Sequence, residues 1–200
     1  MTRRGLSLVE LLISLTVLLV LGTAMVQIYQ VAQTAFQTGG GRIAMQQRAR
    51  ETLRRVVPYL SSAVPASEGA QAVAVPELDN TESFVLFTSP MDWIDGTAMD
   101  PRTPTFRTYK IWFRVDDQDL TSGEKKLWLY RVSTTDPNVI EARRALGKKL
   151  ENVTFKRVTE NCVQIEVTAK ESVRAANFQT RDVTVILKTG VQIPYYALRP

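Results

Sequence analysis

The chain has 200 residues, of which 44% are hydrophobic and 22% charged, and 25 Lys and Arg against 20 Asp and Glu give a formal net charge of +5. This length and composition fit one modest domain with an additional anchoring segment. The absence of histidine excludes Ser-His-Asp and Cys-His catalysis and the usual zinc sites. The single cysteine, Cys162, excludes an internal disulfide. We therefore expect neither an enzyme active site nor a cofactor.

A nearly unbroken apolar run extends from Leu6 to Val26 and contains one carboxylate, Glu10. The run is long enough to cross a bilayer as a helix, since a span needs roughly 20 mostly apolar residues. A carboxylate near the centre of such a helix costs about 2.5–3.5 kcal/mol, and ionisable residues inside membranes usually have a partner. Glu10 lies near the start of the run and could instead stay hydrated at headgroup level. A functional role for Glu10 is the main hypothesis.

The residues at the start of this run match a known processing signal. Arg3-Arg4-Gly5 followed by Leu6-Ser7-Leu8-Val9-Glu10-Leu11-Leu12 resembles the class III leader of type IV pilin-like proteins. The resemblance implies that a prepilin peptidase cleaves between Gly5 and Leu6, that Leu6 is N-methylated, and that the helix assembles into a filament. It also implies that Glu10 meets the new amino group of a neighbouring subunit. The first mature residue in the family is most often Phe, where this chain has Leu6.

Two other interpretations of the N-terminus remain open. A conventional signal peptide could be cleaved near Gly22-Thr23-Ala24, although Glu10 would then lie without purpose inside its apolar region. The segment could also be a plain uncleaved anchor. In each case Arg3 and Arg4 favour a cytoplasmic N-terminus, and the next basic residue is Arg42. We therefore expect the remainder of the chain to lie outside the cytoplasmic membrane.

After Val26 the helix is expected to continue to a triple glycine, Gly39-Gly40-Gly41, and to kink, melt locally or break there. Each Gly costs roughly 1 kcal/mol relative to Ala in a helix, and the break would be either a hinge or a surface turn. Helical spacing then resumes from Arg42 to Leu60, and Pro58 should kink or end this helix. The predicted core face of the amphipathic helix comprises Met45, Ala49, Leu53, Val56 and Leu60.

The remaining residues predict a β-rich head at 61–200. Residues 61–80 read as a loop, residues 84–87 as a strand and residues 89–104 as an irregular excursion. Alternating residues at 109–115 and 127–132 predict a hairpin. Its connection, residues 116–124, is acidic; calcium binding is conceivable there, but the EF-hand spacing is absent, so we expect an ordinary loop without metal.

The last third of the chain predicts one helix and three or four strands. Asp136-Pro137 is typical of a helix start and Gly147 of a helix end. Strands are expected at 150–158, 162–169 and 182–187, with an edge strand at 191–198; Cys162 would be a packing residue of its strand. The predicted fold class is α+β, with the long N-terminal helix packed on an antiparallel sheet.

The order of the head elements supports a narrower resemblance. Gln46-Gln47-Arg48-Ala49-Arg50 with Leu53-Arg54-Arg55, together with Leu129-Tyr130-Arg131 and Leu150-Glu151-Asn152-Val153, is similar to PilW-type minor pilins and GspJ-type minor pseudopilins. The resemblance implies a pilin-like fold with a leader at 1–5, a transmembrane and stalk helix at 6–60 and the head after it.

The resemblance also implies a function and a set of partners. The chain would be a structural minor subunit of a type IV pilus or type II secretion filament, a single-pass protein of the bacterial inner membrane with an extracytoplasmic head. Its partners would be other pilin or pseudopilin subunits, the prepilin peptidase and the inner-membrane assembly platform. The alternative is an anchored module that captures DNA or a secreted protein through Trp93, Trp112 and Trp128.

Nucleic acid is not an expected partner on the linear sequence. Without Arg3 and Arg4 the chain has 23 basic and 20 acidic side chains, a net charge of only +3. It also contains no compact basic run with interleaved aromatic residues.

Overall fold

The computed structural model describes residues 8–65, 67, 70–95, 106–115, 124–174 and 180–193. The chain forms two compact units, Met1–Arg42 with Ser172–Val183 and Ile43–Glu171 with Thr184–Pro200, and each is described separately. The described elements are one long helix followed by nine strands. The predicted α+β class is confirmed.

The helix, α1, extends over Leu8–Ser61. In the first unit its residues from Leu8 to Val31 are all exposed, and most of them are apolar. In the second unit the helix buries Met45, Ala49, Thr52, Val56, Tyr59 and Leu60. This spacing of three or four residues is that of a helix with one face on a core. The predicted face is correct except that Thr52 and Tyr59 are buried while Leu53 is half-buried.

The helix α1 continues through Gly39-Gly40-Gly41 without a break, and a kink at these residues stays a prediction. Helix propagation is cooperative, so the roughly 1 kcal/mol cost of each Gly is tolerated between long helical flanks. A Cβ added at Gly39 or Gly40 would have no neighbour within 4 Å, so packing does not require glycine at either position. Pro58 lies inside α1, which continues past it to Ser61, so the helix does not end at the proline, and a kink there stays a prediction.

The strands form two antiparallel sheets. The strands are β1 (Val73–Val75), β2 (Thr81–Glu82), β3 (Phe84–Ser89), β4 (Arg107–Val115), β5 (Lys125–Val132), β6 (Ile140–Gly147), β7 (Asn152–Thr159), β8 (Cys162–Arg174) and β9 (Thr180–Gln192). One sheet has the order β1-β3-β4-β5-β6 and the other β2-β7-β8-β9. The predicted hairpin is confirmed as β4 and β5, in which Trp112 pairs with Trp128.

Two sequence expectations fail in the head. Residues 136–147 form a turn and then β6 instead of a helix, because strand pairing with β5 overrides the local capping signals. Residues 61–80 contain the short strand β1, where a loop was expected. The expected edge strand at 191–198 is seen only as the end of β9 at Gln192, and residues 194–198 lie outside the described part of the chain.

The core of the second unit lies between α1 and the sheets. The inward face of β3, β4 and β5 contributes Val85, Phe87, Tyr109, Ile111, Leu127 and Leu129, each at most 1% exposed. Close approach of α1 to β6 occurs at Gly147, where an added Cβ would lie 2.8 Å from Thr52 Oγ1. Arg55 Nη1 of α1 donates to the carbonyl of Leu146 at 3.3 Å. Glycine at position 147 therefore sets the distance between the helix and β6.

Candidate functional site

The first candidate site is the exposed apolar segment of α1, which begins at Leu8 in the described chain. Glu10 lies in the first helical turn and is the only Asp, Glu, Lys or Arg between Leu8 and Gly41. The side chains around it are exposed and apolar, including Val9 at 64% and Leu11 at 60%. Gly5 and Leu6, the predicted cleavage and methylation positions, lie outside the described residues.

The Ser and Thr hydroxyl groups of this segment bond within the helix. Ser14 Oγ donates to the Glu10 carbonyl at 2.8 Å. Thr16 Oγ1 donates to the Leu12 carbonyl at 2.7 Å and Thr23 Oγ1 to the Val20 carbonyl at 2.9 Å. Such bonds to the preceding turn remove the need for water at these polar groups. The charged group of the segment is the Glu10 carboxylate.

In length and composition, α1 is the one helix among the described residues that could cross a membrane, and none of its most apolar window is buried. A core helix of a soluble protein can meet the same criterion, but it would be mostly buried. A signal sequence meets it as well, so the helix alone does not identify the type of anchor. What the structure adds is that the apolar side chains surround the helix on all sides.

The second candidate site is a polar centre in the head, built around Asp92, whose side chain is 2% exposed. Its Oδ2 lies 3.0 Å from Arg131 Nη1 and 3.3 Å from Arg107 Nε. Its Oδ1 accepts from the backbone amides of Ile94 and Asp95 at 3.2 and 3.3 Å. This capture by backbone amides fixes the turn that follows β3.

Tyr109 and Arg131 extend this centre across the sheet. Tyr109 Oη donates to the Met91 carbonyl at 3.0 Å and lies 3.3 Å from Asp92 Oδ1. Arg131 also bonds Asp95 Oδ2 at 2.6 Å, and its Nε lies 3.2 Å from Glu141 Oε2. Three carboxylates therefore converge on one guanidinium.

The charges of the centre hold its groups in fixed protonation states. Burial alone would raise the pKa of Asp92, but the amides of Asp95 and Ile94 and the charges of Arg107 and Arg131 lower it below its ordinary value. Burial raises the pKa of Tyr109 to about 12, and the neighbouring Asp92 charge acts in the same direction. At neutral pH the carboxylate is ionised and the phenol protonated. The arrangement thus positions chain segments.

Trp93 joins this centre to the end of α1. Its indole Nε1 donates towards Ser62 Oγ at 3.1 Å and Ser89 Oγ at 3.2 Å. Its ring packs edge-on against Tyr59, with 4.8 Å between the centroids. The Trp93 amide also donates to Tyr109 Oη at 3.2 Å. These contacts tie the last turn of the helix to β3 and β4.

The sequence indicated this region only as an irregular excursion. Among its aspartates, Asp92 was not distinguished, because its partners Arg107 and Arg131 lie on β4 and β5 and meet it only in the folded head. No three His, Cys, Asp or Glu side chains within the described ranges are grouped so as to hold a metal. Residues 116–123 lie outside these ranges, so the absence of calcium there stays a prediction.

The comparisons with known proteins assign no relative. No family model, no curated protein and no solved structure matches this chain. The function must therefore be argued from the N-terminal signal, the exposed apolar helix and the surfaces of the head.

Proposed function

We propose that this protein is a structural minor subunit of a pilus or pseudopilus, anchored in the bacterial inner membrane and assembled through α1. The observation that carries the proposal is the exposed segment from Leu8 to Val31, which is apolar on all sides and has one carboxylate in its first turn. It is preceded by Arg3-Arg4-Gly5, the residues that resemble a prepilin leader.

An apolar surface of this extent requires a nonaqueous environment. Burying one Val, Leu or Ile side chain is worth about 1.5–3 kcal/mol, and contiguous apolar patches mark membrane or protein contacts. Before assembly the lipid bilayer would cover the segment, and in the filament the equivalent helices of other subunits would replace the lipid. Both environments are apolar, so the transfer between them sacrifices little of this stabilisation.

Glu10 gives the assembled state a preferred register. Cleavage after Gly5 would create an amino group on Leu6, and a carboxylate four residues later on a neighbouring helix can neutralise it. In apolar surroundings such a charge pair is stronger than in water, provided that the geometry is good. The prepilin peptidase, the other subunits and the inner-membrane assembly platform are the partners in this proposal, with the head on the extracytoplasmic side.

The proposal is tested at the N-terminus. Mass spectrometry of membrane-extracted protein from peptidase-positive cells should show Leu6 as the first residue and the mass of a methyl group on it. Gly5→Val should leave the precursor uncut, since the added bulk lies at the scissile bond. Gly22→Val is the matched control and should be processed normally, because a Cβ at Gly22 has no neighbour within 4 Å. A mature N-terminus near Ala24, or an intact Met1, would contradict the proposal.

Cross-linking in sheared filaments would then distinguish the two kinds of machine. Neighbours encoded with a secretin and secreted enzymes would indicate a type II secretion pseudopilus. Neighbours from a twitching pilus would indicate a type IV pilus.

A further inference from the structure

The later part of α1 carries arginines on the side of the helix that faces away from the core. Four arginines lie between residues 48 and 55, and two of them, Arg48 and Arg55, form ion pairs with carboxylates of the same chain. The other two, Arg50 and Arg54, are exposed. Among the described residues neither of these two has an ion pair or a side-chain hydrogen bond.

The spacing of Arg50 and Arg54 brings their charges together. Residues four apart are neighbours on a helix surface, and like charges at this spacing destabilise the helix. The nearest carboxylate of the helix, that of Glu51, is paired with Arg55. An anion bound between Arg50 and Arg54 would offset their repulsion.

The two arginines line a groove of about 880 Å³ on this side of α1. Leu53 and Val57, which are also four residues apart, give it an apolar strip and are half-buried. Pro58 lies at its end and has no amide hydrogen, so the Arg54 carbonyl lacks its usual helical donor. We call the surface formed by Gln47, Arg50, Leu53, Arg54, Val57 and Pro58 the outer groove of α1.

The pattern of the outer groove matches a second helix. An apolar pair, Leu53 and Val57, lies beside a basic pair, Arg50 and Arg54, and both pairs have a spacing of four residues. Rows with this spacing form ridges on a helix, and the ridges of a second helix pack into the grooves between them. A facing helix with an apolar row beside an acidic row would complement both pairs. Hydrogen bonds between guanidinium and carboxylate groups are among the stronger ones in proteins.

Other occupants fit the outer groove less well. None of the described residues that line it is aromatic, so the bases of a single-stranded nucleic acid would find nothing on which to stack. A second copy of α1 has no acidic row, since Glu10 and Glu51 are the only carboxylates of this helix. The complementary helix therefore belongs to a different protein.

We propose that the outer groove of α1 binds an amphipathic helix of another protein, with a row of Asp or Glu beside a row of apolar residues. The carboxylates would accept hydrogen bonds from Arg50 and Arg54. The apolar row would cover Leu53 and Val57. This inference goes beyond the proposed function, because the groove lies outside the exposed apolar segment and its occupation requires neither cleavage after Gly5 nor filament assembly.

The test is a binding titration of the full-length chain in phosphatidylcholine nanodiscs, with empty nanodiscs as the blank. The probe is a labelled alanine-based peptide of about 20 residues, long enough to form a helix in water, with Glu and Leu in adjacent rows of spacing four. We expect saturable binding with a dissociation constant on the order of 10–100 μM, typical of a small transient interface. Binding should weaken with added salt, which screens exposed charges.

Matched variants locate the site. Arg54→Glu should weaken binding roughly tenfold, because it replaces an attraction by a repulsion. Arg42→Glu makes the same charge change at an exposed position of the same helix that does not line the groove, and should have little effect. A probe with Lys in place of Glu should bind the double variant Arg50→Glu with Arg54→Glu more tightly than the wild type. Thermal unfolding of each variant confirms that the head is folded.

Four results would overturn the proposal. One is the absence of saturable binding above the blank by the folded chain. A second is an equal loss of affinity for Arg42→Glu and Arg54→Glu, which would indicate attraction by net charge alone. A third is equally tight binding of a peptide with the same composition but scattered Glu and Leu, which would mean that the rows are not recognised. The fourth is competition by polyphosphate as effective as that by the unlabelled peptide at equal charge, which would identify a phosphate polymer as the occupant.

Discussion

The two parts of α1 differ in where their apolar side chains find a partner. From Leu8 to Val31 every residue is exposed, although the segment is the most hydrophobic of the chain. From Met45 to Leu60 a single face is buried against the head, and Met45, Ala49, Val56 and Leu60 are 0% exposed. The partner of the later part lies within the same chain, whereas the earlier part has the length and composition of a membrane-spanning helix and none of its most apolar window is buried.

The carboxylates of Asp92 and Glu10 also differ in where their partners lie. Asp92 is buried in the head and is held by Arg107, Arg131 and two backbone amides. Glu10 lies on an exposed apolar surface, where its proposed partner is the terminal amino group of a neighbouring subunit. Substitutions in the head should therefore change the folding of a single chain, whereas substitutions in the exposed segment should change assembly.

The largest expected effect on folding is that of Asp92→Asn. The variant removes the charge that Arg131 and Arg107 face, and breaking a buried pair costs several kcal/mol. We expect a loss of about 3 kcal/mol in the free energy of unfolding at neutral pH, at the low end because the Arg107 side chain is 37% exposed. Denaturant titration of the full-length chain in detergent measures it.

The contribution of Asp92 to stability should depend on pH in a definite direction. The pKa of Asp92 is lowered in the folded state from 3.8, so the unfolded chain binds more protons in acid. Its contribution is fully present above the unfolded pKa and is lost as the pH falls below about 3.8 towards the folded pKa. The stability difference between the wild type and Asp92→Asn should therefore shrink in this window. A difference that stays constant down to pH 2 would contradict the assignment.

Tyr109 should make the free energy of unfolding depend on pH in the alkaline range, and the Tyr109→Phe variant serves as a control. Its folded pKa is raised from 10.0 to about 12, so its contribution is fully present below pH 10 and is lost as the pH rises from 10 to about 12. Tyr109→Phe cannot lose a phenolic proton and should show a shallower decline of stability across this range. The loss of stability at acid pH should remain in Tyr109→Phe, because Asp92 still interacts with Arg107 and Arg131.

The second prediction compares the same substitution in the two parts of the molecule. At Gly147 a new Cβ would lie 2.8 Å from Thr52 Oγ1 and 3.2 Å from Leu150 Cδ1, so Gly147→Ala should destabilise the head by about 2 kcal/mol through overpacking. At Gly39 the new Cβ meets nothing within 4 Å. Gly39→Ala should therefore strengthen the helix by roughly 1 kcal/mol.

Two measurements separate these outcomes. Chemical denaturation reports the loss at Gly147, and combining it with Thr52→Ala should recover part of that loss, giving a favourable coupling in the double-mutant cycle. Amide hydrogen exchange around residue 39 reports the gain in helix protection. Equal destabilisation by both Gly→Ala changes would mean that the close approach at Gly147 is not what makes glycine necessary there.

The sequence predicted features that depend on local periodicity. The apolar run, the core face of the later helix and the β4–β5 hairpin all have strong patterns of period 3.6 or 2, and the structure contains them. The failures occurred where distant partners decide the conformation. Asp136-Pro137 and Gly147 have the local chemistry of helix ends, but pairing with β5 makes residues 140–147 a strand.

The two candidate sites also differ in whether the sequence alone could reveal them. Glu10 could be selected from the sequence because a carboxylate in an apolar run is conspicuous locally. Asp92 could not, since its importance comes from Arg107, Tyr109 and Arg131 on two other strands.

The smallest expected effect on folding belongs to Glu10→Ala, which should nevertheless change assembly the most. Glu10 is exposed in the first turn of α1, outside the unit that contains the head core, so the free energy of unfolding of the head should be unchanged. Leu11→Ala is the matched control: it shortens the adjacent side chain, which is 60% exposed, and leaves the charge in place.

In the filament, Glu10→Ala would leave the proposed amino group of a neighbouring subunit without its counter-charge in apolar surroundings, a loss of several kcal/mol for a well-buried pair. The variant should reach the membrane, be cleaved after Gly5 and melt like the wild type, while the ratio of subunit in sheared filaments to subunit in the membrane falls at least tenfold. Leu11→Ala should reduce this ratio far less, because only apolar contact area is lost. Normal incorporation of Glu10→Ala would mean that the carboxylate is hydrated at headgroup level and has no part in assembly.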